Sequence, residues 1–170
     1  MQLDLTRYRR PLSTFARTFE PHEVGDERDA YRIVAPVHMA FDIQKDKDKF
    51  RLVGRVASEL ELSCSRCLEP FCLPVDAPFD VRLLRASDAS TADEREVGEE
   101  DLEIGYYRDE QIDLNELLRE QFYLALPMKP LCREKCRGLC PHCGTDLNTA
   151  ACDCAPAWED SRLAAFKHLK

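Results

Sequence analysis

Phe71-Cys72-Leu73-Pro74-Val75-Asp76-Ala77-Pro78-Phe79-Asp80-Val81-Arg82-Leu83 gives every odd position to an apolar residue and the even ones to Cys72, Asp76, Asp80, Arg82 and two prolines. A two-residue period of that length is a strand with one buried and one wetted face. Upstream the same period recurs twice. Ala35, Val37, Met39, Phe41 and Ile43 continue the face begun at Ile33, opposite Arg32, His38 and Asp42. After a polar turn at residues 44–49, Phe50, Leu52, Val56, Leu60 and Leu62 alternate with Arg51, Arg55, Glu59 and Glu61. Three successive half-polar strands predict an antiparallel β-sheet, with residues 2–5 and 14–20 as further edge strands. Pro36, Pro74 and Pro78 fall inside these runs and belong at edges or bulges, because proline cannot donate to a ladder.

The sheet needs a cover for its apolar face, and residues 113–126 supply one. Asp113 can cap a helix, Glu116 completes a capping box, and Ile112 can staple against Leu117. Leu114, Leu117, Leu118, Phe122 and Ala125 then form one helical face, and Pro127 stops it. The expected class is α+β: an antiparallel β-sheet with one packed helix and a C-terminal four-cysteine, zinc-ribbon-like segment. Residues 1–127 form the sheet domain, residues 128–156 the Cys-rich segment, and residues 157–170 a tail in which Trp158, Leu163, Phe166 and Leu169 predict a short helix.

Nine cysteines and no secretory apolar run after the first residues indicate a soluble, cytoplasmic chain that keeps its thiols reduced. An odd count also suits metal better than disulfides. Cys64-Ser65-Arg66-Cys67 falls in the turn between the second and third strands, and a single CxxC is a weak signal. A redox role would want that pair opening a helix in a βαβ unit, whereas strands flank it. Cys132, Cys136, Cys140, Cys143, Cys152 and Cys154 are far more specific, six thiols within 23 residues. Cys140-Pro141-His142-Cys143-Gly144 has the form of a zinc knuckle, where glycine permits the φ > 0 turn around the ion.

Eight thiols divide into two tetrahedral Zn2+ sites, both structural. Cys64 and Cys67 would join Cys132 and Cys136, clamping the C-terminal segment to the sheet, and Cys140, Cys143, Cys152 and Cys154 would hold the second ion. The Cys152-x-Cys154 pair then needs a tight turn. Cys72 is left as a free thiol on the wet face; His142, His22, His38 and His168 read as surface residues. Sites closed by four thiolates leave no open coordination position for hydrolysis. The His-x-Glu of a zinc deaminase, a phosphate-cradling glycine loop and a nucleophile elbow are also missing from the sequence. The chain thus reads as no enzyme, without a small-molecule substrate and without a membrane span.

A net charge of -8 ordinarily argues against a nucleic-acid partner. Residues 86–110, however, carry ten acidic and two basic residues, and the remainder balances at 22 of each sign. That acidic stretch is too polar to bury and reads as a long loop with no fixed structure. Within the balanced part, Arg7, Arg9, Arg10 and Arg17 form one basic patch, and Lys129, Arg133, Lys135 and Arg137 another. Either can meet RNA phosphate, and either can equally be an ordinary solvated surface.

Three pieces of the chain resemble the YceD family of large ribosomal RNA subunit accumulation proteins. They are Cys64-Ser65-Arg66-Cys67-Leu68-Glu69-Pro70-Phe71, the helix from Asp113 to Leu124-Ala125-Leu126-Pro127, and the run from Cys136 to Gly144 with Leu147-Asn148 and Cys152-Asp153-Cys154. The resemblance implies a non-enzymatic role in ribosome biogenesis, with large-subunit ribosomal RNA or a large-subunit ribosomal protein as partner. Some members keep the CxRC piece without the CxxCG block, which implies that the second ion is an optional support. A zinc-ribbon adaptor that binds protein without touching RNA, or a thiol redox or zinc-storage protein, would use the same cysteines differently.

Overall fold

Pro70 to Arg85 forms a single 16-residue strand, β6, antiparallel to β5 (Lys49–Ser63) in an unbroken register from Phe50↔Leu83 to Ser63↔Pro70. The computed structural model of the chain describes residues 1–25, 29–86 and 104–154. Most of the acidic stretch and the tail expected to be helical at residues 157–170 lie outside the described residues. Along β6 the alternation in sequence is the alternation in burial: Val75, Ala77, Phe79 and Leu83 are buried, while Cys72, Pro74, Asp76 and Pro78 are exposed. Pro70, Pro74 and Pro78 share one parity, so their missing N–H groups fall on the side of β6 away from β5. Among the described residues that side has no partner strand before Arg82, so the prolines blunt an open edge.

The run beginning at Ile33 divides in two. Arg32–Ile33 is β3 and Val37–Asp46 is β4, and both pair antiparallel with β5. The register slips between Ile33↔Leu60 and His38↔Ala57, placing extra residues around Pro36 as a bulge. The Ser58 hydroxyl donates to the Ala35 carbonyl at 3.0 Å across it. On the other flank β2 (Leu12–Phe19) pairs with β4 and ends the sheet.

Two expectations require correction. Residues 2–5 do not edge the main sheet: β1 (Gln2–Asp4) pairs with β8 (Gln111–Asp113) as a separate two-stranded ribbon, followed by a 3₁₀ turn at Leu5–Arg7. The sheet is also not wholly antiparallel, because β7 (Ile104–Tyr107), within the stretch given no fixed structure, runs parallel to β6. Residues 86–103 connect them, longer than the dozen or so residues a parallel return requires. Tyr107, apolar-bodied and buried, donates its hydroxyl to the Asp48 carbonyl at 2.7 Å and packs edge-on against Phe50. Composition averaged over an acidic stretch hides such a four-residue apolar end.

Helix α1 (Leu114–Ala125) lies on the apolar face of this α+β fold. Asp113 caps it, its carboxylate accepting from the Asn115 N–H at 2.9 Å, and Leu126 is extended, as a residue before proline tends to be. Leu114, Leu117, Leu118 and Phe122 are buried with Met39, Ile43, Leu52, Val56 and Leu60 of the sheet in one core. From its end the chain passes directly to the remaining six cysteines.

Candidate metal centres

The turn between β5 and β6 is a knuckle. The Cys64 N–H donates to the Glu69 carbonyl at 2.9 Å, the Leu68 N–H donates to the Cys64 carbonyl at 3.0 Å, and Leu68 sits at φ 62°. Residues 140–145 repeat the pattern: Cys140 N–H to Thr145 carbonyl at 2.8 Å, Gly144 N–H to Cys140 carbonyl at 2.9 Å, Gly144 at φ 73°. The two CxxC pairs therefore have the same backbone construction. Sequence alone shows it only for the second, because Gly144 suits positive φ and Leu68 does not.

The first knuckle is met by the chain leaving α1. The Ser65 N–H donates to the Pro130 carbonyl at 2.8 Å, and the Leu139 N–H donates to the Arg66 carbonyl at 3.1 Å. The Arg66 guanidinium in turn donates to the Cys136 carbonyl at 2.8 Å and the Glu134 carbonyl at 3.5 Å. Gly138, at φ 73°, lets this loop close, since a Cβ there would stand 3.0 Å from the Arg66 carbonyl oxygen. The result brings Cys64, Cys67, Cys132 and Cys136 together with all sulfurs within 4.8 Å of one another. Cys64 and Cys136 are 3.7 Å apart and Cys67 and Cys132 3.8 Å, far beyond a disulfide bond of about 2.05 Å. Cys64, Cys67 and Cys136 are buried under Phe71, Leu131 and Leu139, leaving Cys132 the most open.

Cys140, Cys143, Cys152 and Cys154 form the second foursome, again within 4.8 Å and drawn from one local segment. It is the more open, with Cys143 and Cys154 exposed. The sulfur positions thus fall into the two sets that the sequence spacing indicates, and either set can hold a metal ion. Each set combines one knuckle with one irregular pair. Asn148, carried between Cys143 and Cys152, accepts from the Arg137 N–H at 2.8 Å and donates to the Cys136 sulfur at 3.4 Å. Arg66 and Asn148 are the site residues that residue-by-residue reading of the cysteines misses; the only signal was that both stand in the pieces carrying the family resemblance.

Electrostatics within each foursome are in conflict without a cation. Backbone N–H groups, that of Cys132 foremost, draw the Cys64 thiol down to about 6. The Glu69 N–H also favours the Cys67 thiolate, but burial and the neighbouring sulfurs outweigh it and push Cys67 up to about 12. In the second set the Thr145 hydroxyl, 3.1 Å from the Cys143 sulfur, leads the groups that bring Cys143 down to about 6. Cys154 is raised to about 12 by the sulfurs of Cys143 and Cys140. Thiolates in contact cannot all ionise unless a positive ion stands among them.

The candidate RNA-binding cations lie in two places. Arg7 pairs with Asp4 and Arg17 with Glu23, leaving Arg9 and Arg10 exposed before β2. Lys129, Arg133, Lys135 and Arg137 are all exposed around the first knuckle and make no ion pair among the described residues. Cys72 is exposed and stands apart from both foursomes. No helix among the described residues is long and apolar enough to cross a membrane.

Comparison with known proteins places this arrangement. Residues 52–170 match the family described as large ribosomal RNA subunit accumulation protein YceD. An uncharacterized protein of Mycobacterium tuberculosis is 32% identical over 151 residues, covering 86% of this chain and 70% of its own. Two plant proteins, named large ribosomal RNA subunit accumulation protein YCED homolog 1, chloroplastic, from Zea mays and Arabidopsis thaliana, are each 26% identical, over 71% and 79% of this chain. The chain spans about half the length of these plant relatives, 49% of each. No solved structure matches.

Proposed function

The chain belongs to the YceD family of large ribosomal RNA subunit accumulation proteins, and from that premise we propose that it supports accumulation of large-subunit ribosomal RNA and biogenesis of the large subunit as a non-enzymatic, zinc-supported factor. The observation that carries the metal half of this reading is the sulfur spacing. Four sulfurs about 2.3 Å from one tetrahedral ion lie roughly 3.8 Å apart, and the first foursome shows 3.7 and 3.8 Å. All-thiolate donors favour zinc over harder ions. Cys64, Cys67, Cys132 and Cys136 would hold one Zn2+, and Cys140, Cys143, Cys152 and Cys154 the other.

Such an ion supplies cross-linking, on the order of 10 to 16 kcal/mol for a small structural site. Four thiolates close the coordination sphere, so the residues offer support and no position for substrate. In this reading residues 1–127 are the supporting sheet domain, residues 128–156 the metal-bearing segment and residues 157–170 an appended tail. The protein works in the cytoplasm, and its partner is large-subunit ribosomal RNA or a protein of that subunit. Depleting it in its own cell and measuring the ratio of large- to small-subunit ribosomal RNA tests the role. A falling ratio is expected; an unchanged ratio with normal growth removes it.

A further inference from the structure

We propose that the cations surrounding the first knuckle, Lys129, Arg133, Lys135 and Arg137, form the face that meets RNA phosphate, and that the open face of the sheet does not. The inference rests on the reading that this chain acts on ribosomal RNA, and it names the surface.

The open face of the sheet carries arginines, but they are occupied. Arg32 pairs with Glu61 at 2.8 Å, Arg55 with Asp76 at 3.1 Å, and Arg51 makes a two-point contact with Asp80. Releasing each to a phosphate would leave a carboxylate behind on the same face, facing the incoming anion. The exposed positions of β4, β5 and β6 also present no Phe, Tyr or Trp on which a base can stack.

The described residues that flank the acidic stretch and the first knuckle stand at opposite ends of the β5–β6 hairpin. Residues 87–103 hold eight acidic residues and one basic, and their anchors, Arg85 and Ile104, stand at the end where Phe50 faces Leu83. The knuckle occupies the other end, beyond Ser63↔Pro70. A strand of that length puts on the order of 40 Å between the two ends, several times the Debye length of about 10 Å at 0.1 M salt. The anchors thus stand well away from the knuckle, where residues 129–137 carry four cations against the single carboxylate of Glu134. Arg9 and Arg10 lie toward the other end of the hairpin: the Lys45 N–H, near the end of β4, donates to the Pro11 carbonyl next to them at 2.9 Å.

The knuckle cations are also held in place. Their backbone is fixed through Pro130, Cys136 and Leu139 to residues 65 and 66, and through Gly138 to Leu147, so a bound phosphate would meet a loop already ordered. The ion between Cys64, Cys67, Cys132 and Cys136 would make that ordering depend on metal.

Binding of the metal-replete full chain to a labelled transcript of large-subunit ribosomal RNA, followed by filter retention across a salt series, tests the assignment. Replacing all four cations by glutamine should lower affinity about tenfold or more at 0.1 M salt and flatten the salt dependence by roughly 0.7 to 0.9 for each phosphate no longer neutralised. The Arg9→Gln, Arg10→Gln control should bind as the parent does. Arg133→Gln and Lys135→Gln alone, at exposed positions without ion pairs among the described residues, each should lower the slope while retaining all metal. Equal slopes in those metal-replete single variants overturn the proposal, and are the outcome if the cations only offset thiolate charge. A larger loss in the Arg9, Arg10 control overturns it as well. A parent chain that retains no RNA at low salt also overturns it, yet leaves the ribosomal RNA ratio in depleted cells to decide the assembly role separately.

Discussion

Asn148 donates its side-chain amide to the sulfur of Cys136 at 3.4 Å, so a residue carried by the loop of the second foursome touches a ligand of the first. The same side chain accepts from the Arg137 N–H, and the Leu147 N–H donates to the Gly138 carbonyl. A donor to sulfur stabilises thiolate over thiol, and it is among the groups that lower the Cys136 thiol. Outer partners of metal ligands typically matter about 10- to 100-fold in affinity. Asn148→Ala should therefore weaken the first centre by a factor in that range and leave the second nearly unaffected. Competition with a coloured chelator resolves the two ions, and a variant with unchanged affinity at both would show Asn148 to be a bystander.

Cys67→Ser removes a ligand that bridges segments distant in sequence. The protein should lose about one zinc per chain, and residues 128–154 should become open to protease while the sheet stays resistant. Cys143→Ser, in the local foursome, should also cost one ion but leave the contact between Arg66 and Leu139 in place. Elemental analysis with limited proteolysis reads both, and full metal content in Cys67→Ser would break the proposed grouping.

The order of strands around β5 was legible because each wears its burial in a two-residue period, and Val75, Ala77 and Phe79 are as buried as their parity requires. Helix α1 was legible from Asp113 and Pro127 for equally local reasons. What escaped reading depends on contacts remote in sequence. Gln2 to Asp4 has edge-strand composition, and only the arrival of Gln111 to Asp113 decides that it pairs there. Ile104 to Tyr107 is four residues at the margin of an acidic stretch, and β6 supplies its partner. At the centres, spacing divides the cysteines, but nothing in Leu68 announces positive φ; the Cys64 and Glu69 hydrogen bonds impose it.

Gly54 tests the packing of the sheet independently of metal. It faces Phe41 on β4 and Phe79 on β6, whose rings approach to 5.8 Å, and Phe15 stacks on Phe41 at 4.8 Å. An added Cβ would fall 2.3 Å from both the Ala40 carbonyl oxygen and the Phe41 Cβ. The first of these is backbone of a paired strand, so relief requires shifting β4. Overpacking of this kind costs about 1 to 3 kcal/mol, occasionally more. Gly54→Ala should lower the denaturant midpoint accordingly while keeping its zinc; a midpoint equal to the parent would mean that β4 yields freely.

Asp80 gives the sheet a pH dependence separable from that of the thiols. Its carboxyl is held below the usual 3.8, first by its hydrogen bond with Arg51. Arg82 adds to this, standing directly opposite Arg51 in the register, so the carboxylate lies near two cations. A carboxyl whose folded value is depressed contributes stability that is complete above its unfolded value and is lost as pH falls through the folded one. The pair is more than a third exposed, which limits its contribution to about 0.2 to 1 kcal/mol. Asp80→Asn should therefore destabilise the protein by an amount that is constant from pH 6 to 8 and shrinks below pH 4, once the parent carboxyl is protonated too. Chelator should leave this difference unchanged, since Arg51 and Asp80 meet within the sheet and away from either foursome; a difference that grew on acidification would reverse the assigned sign.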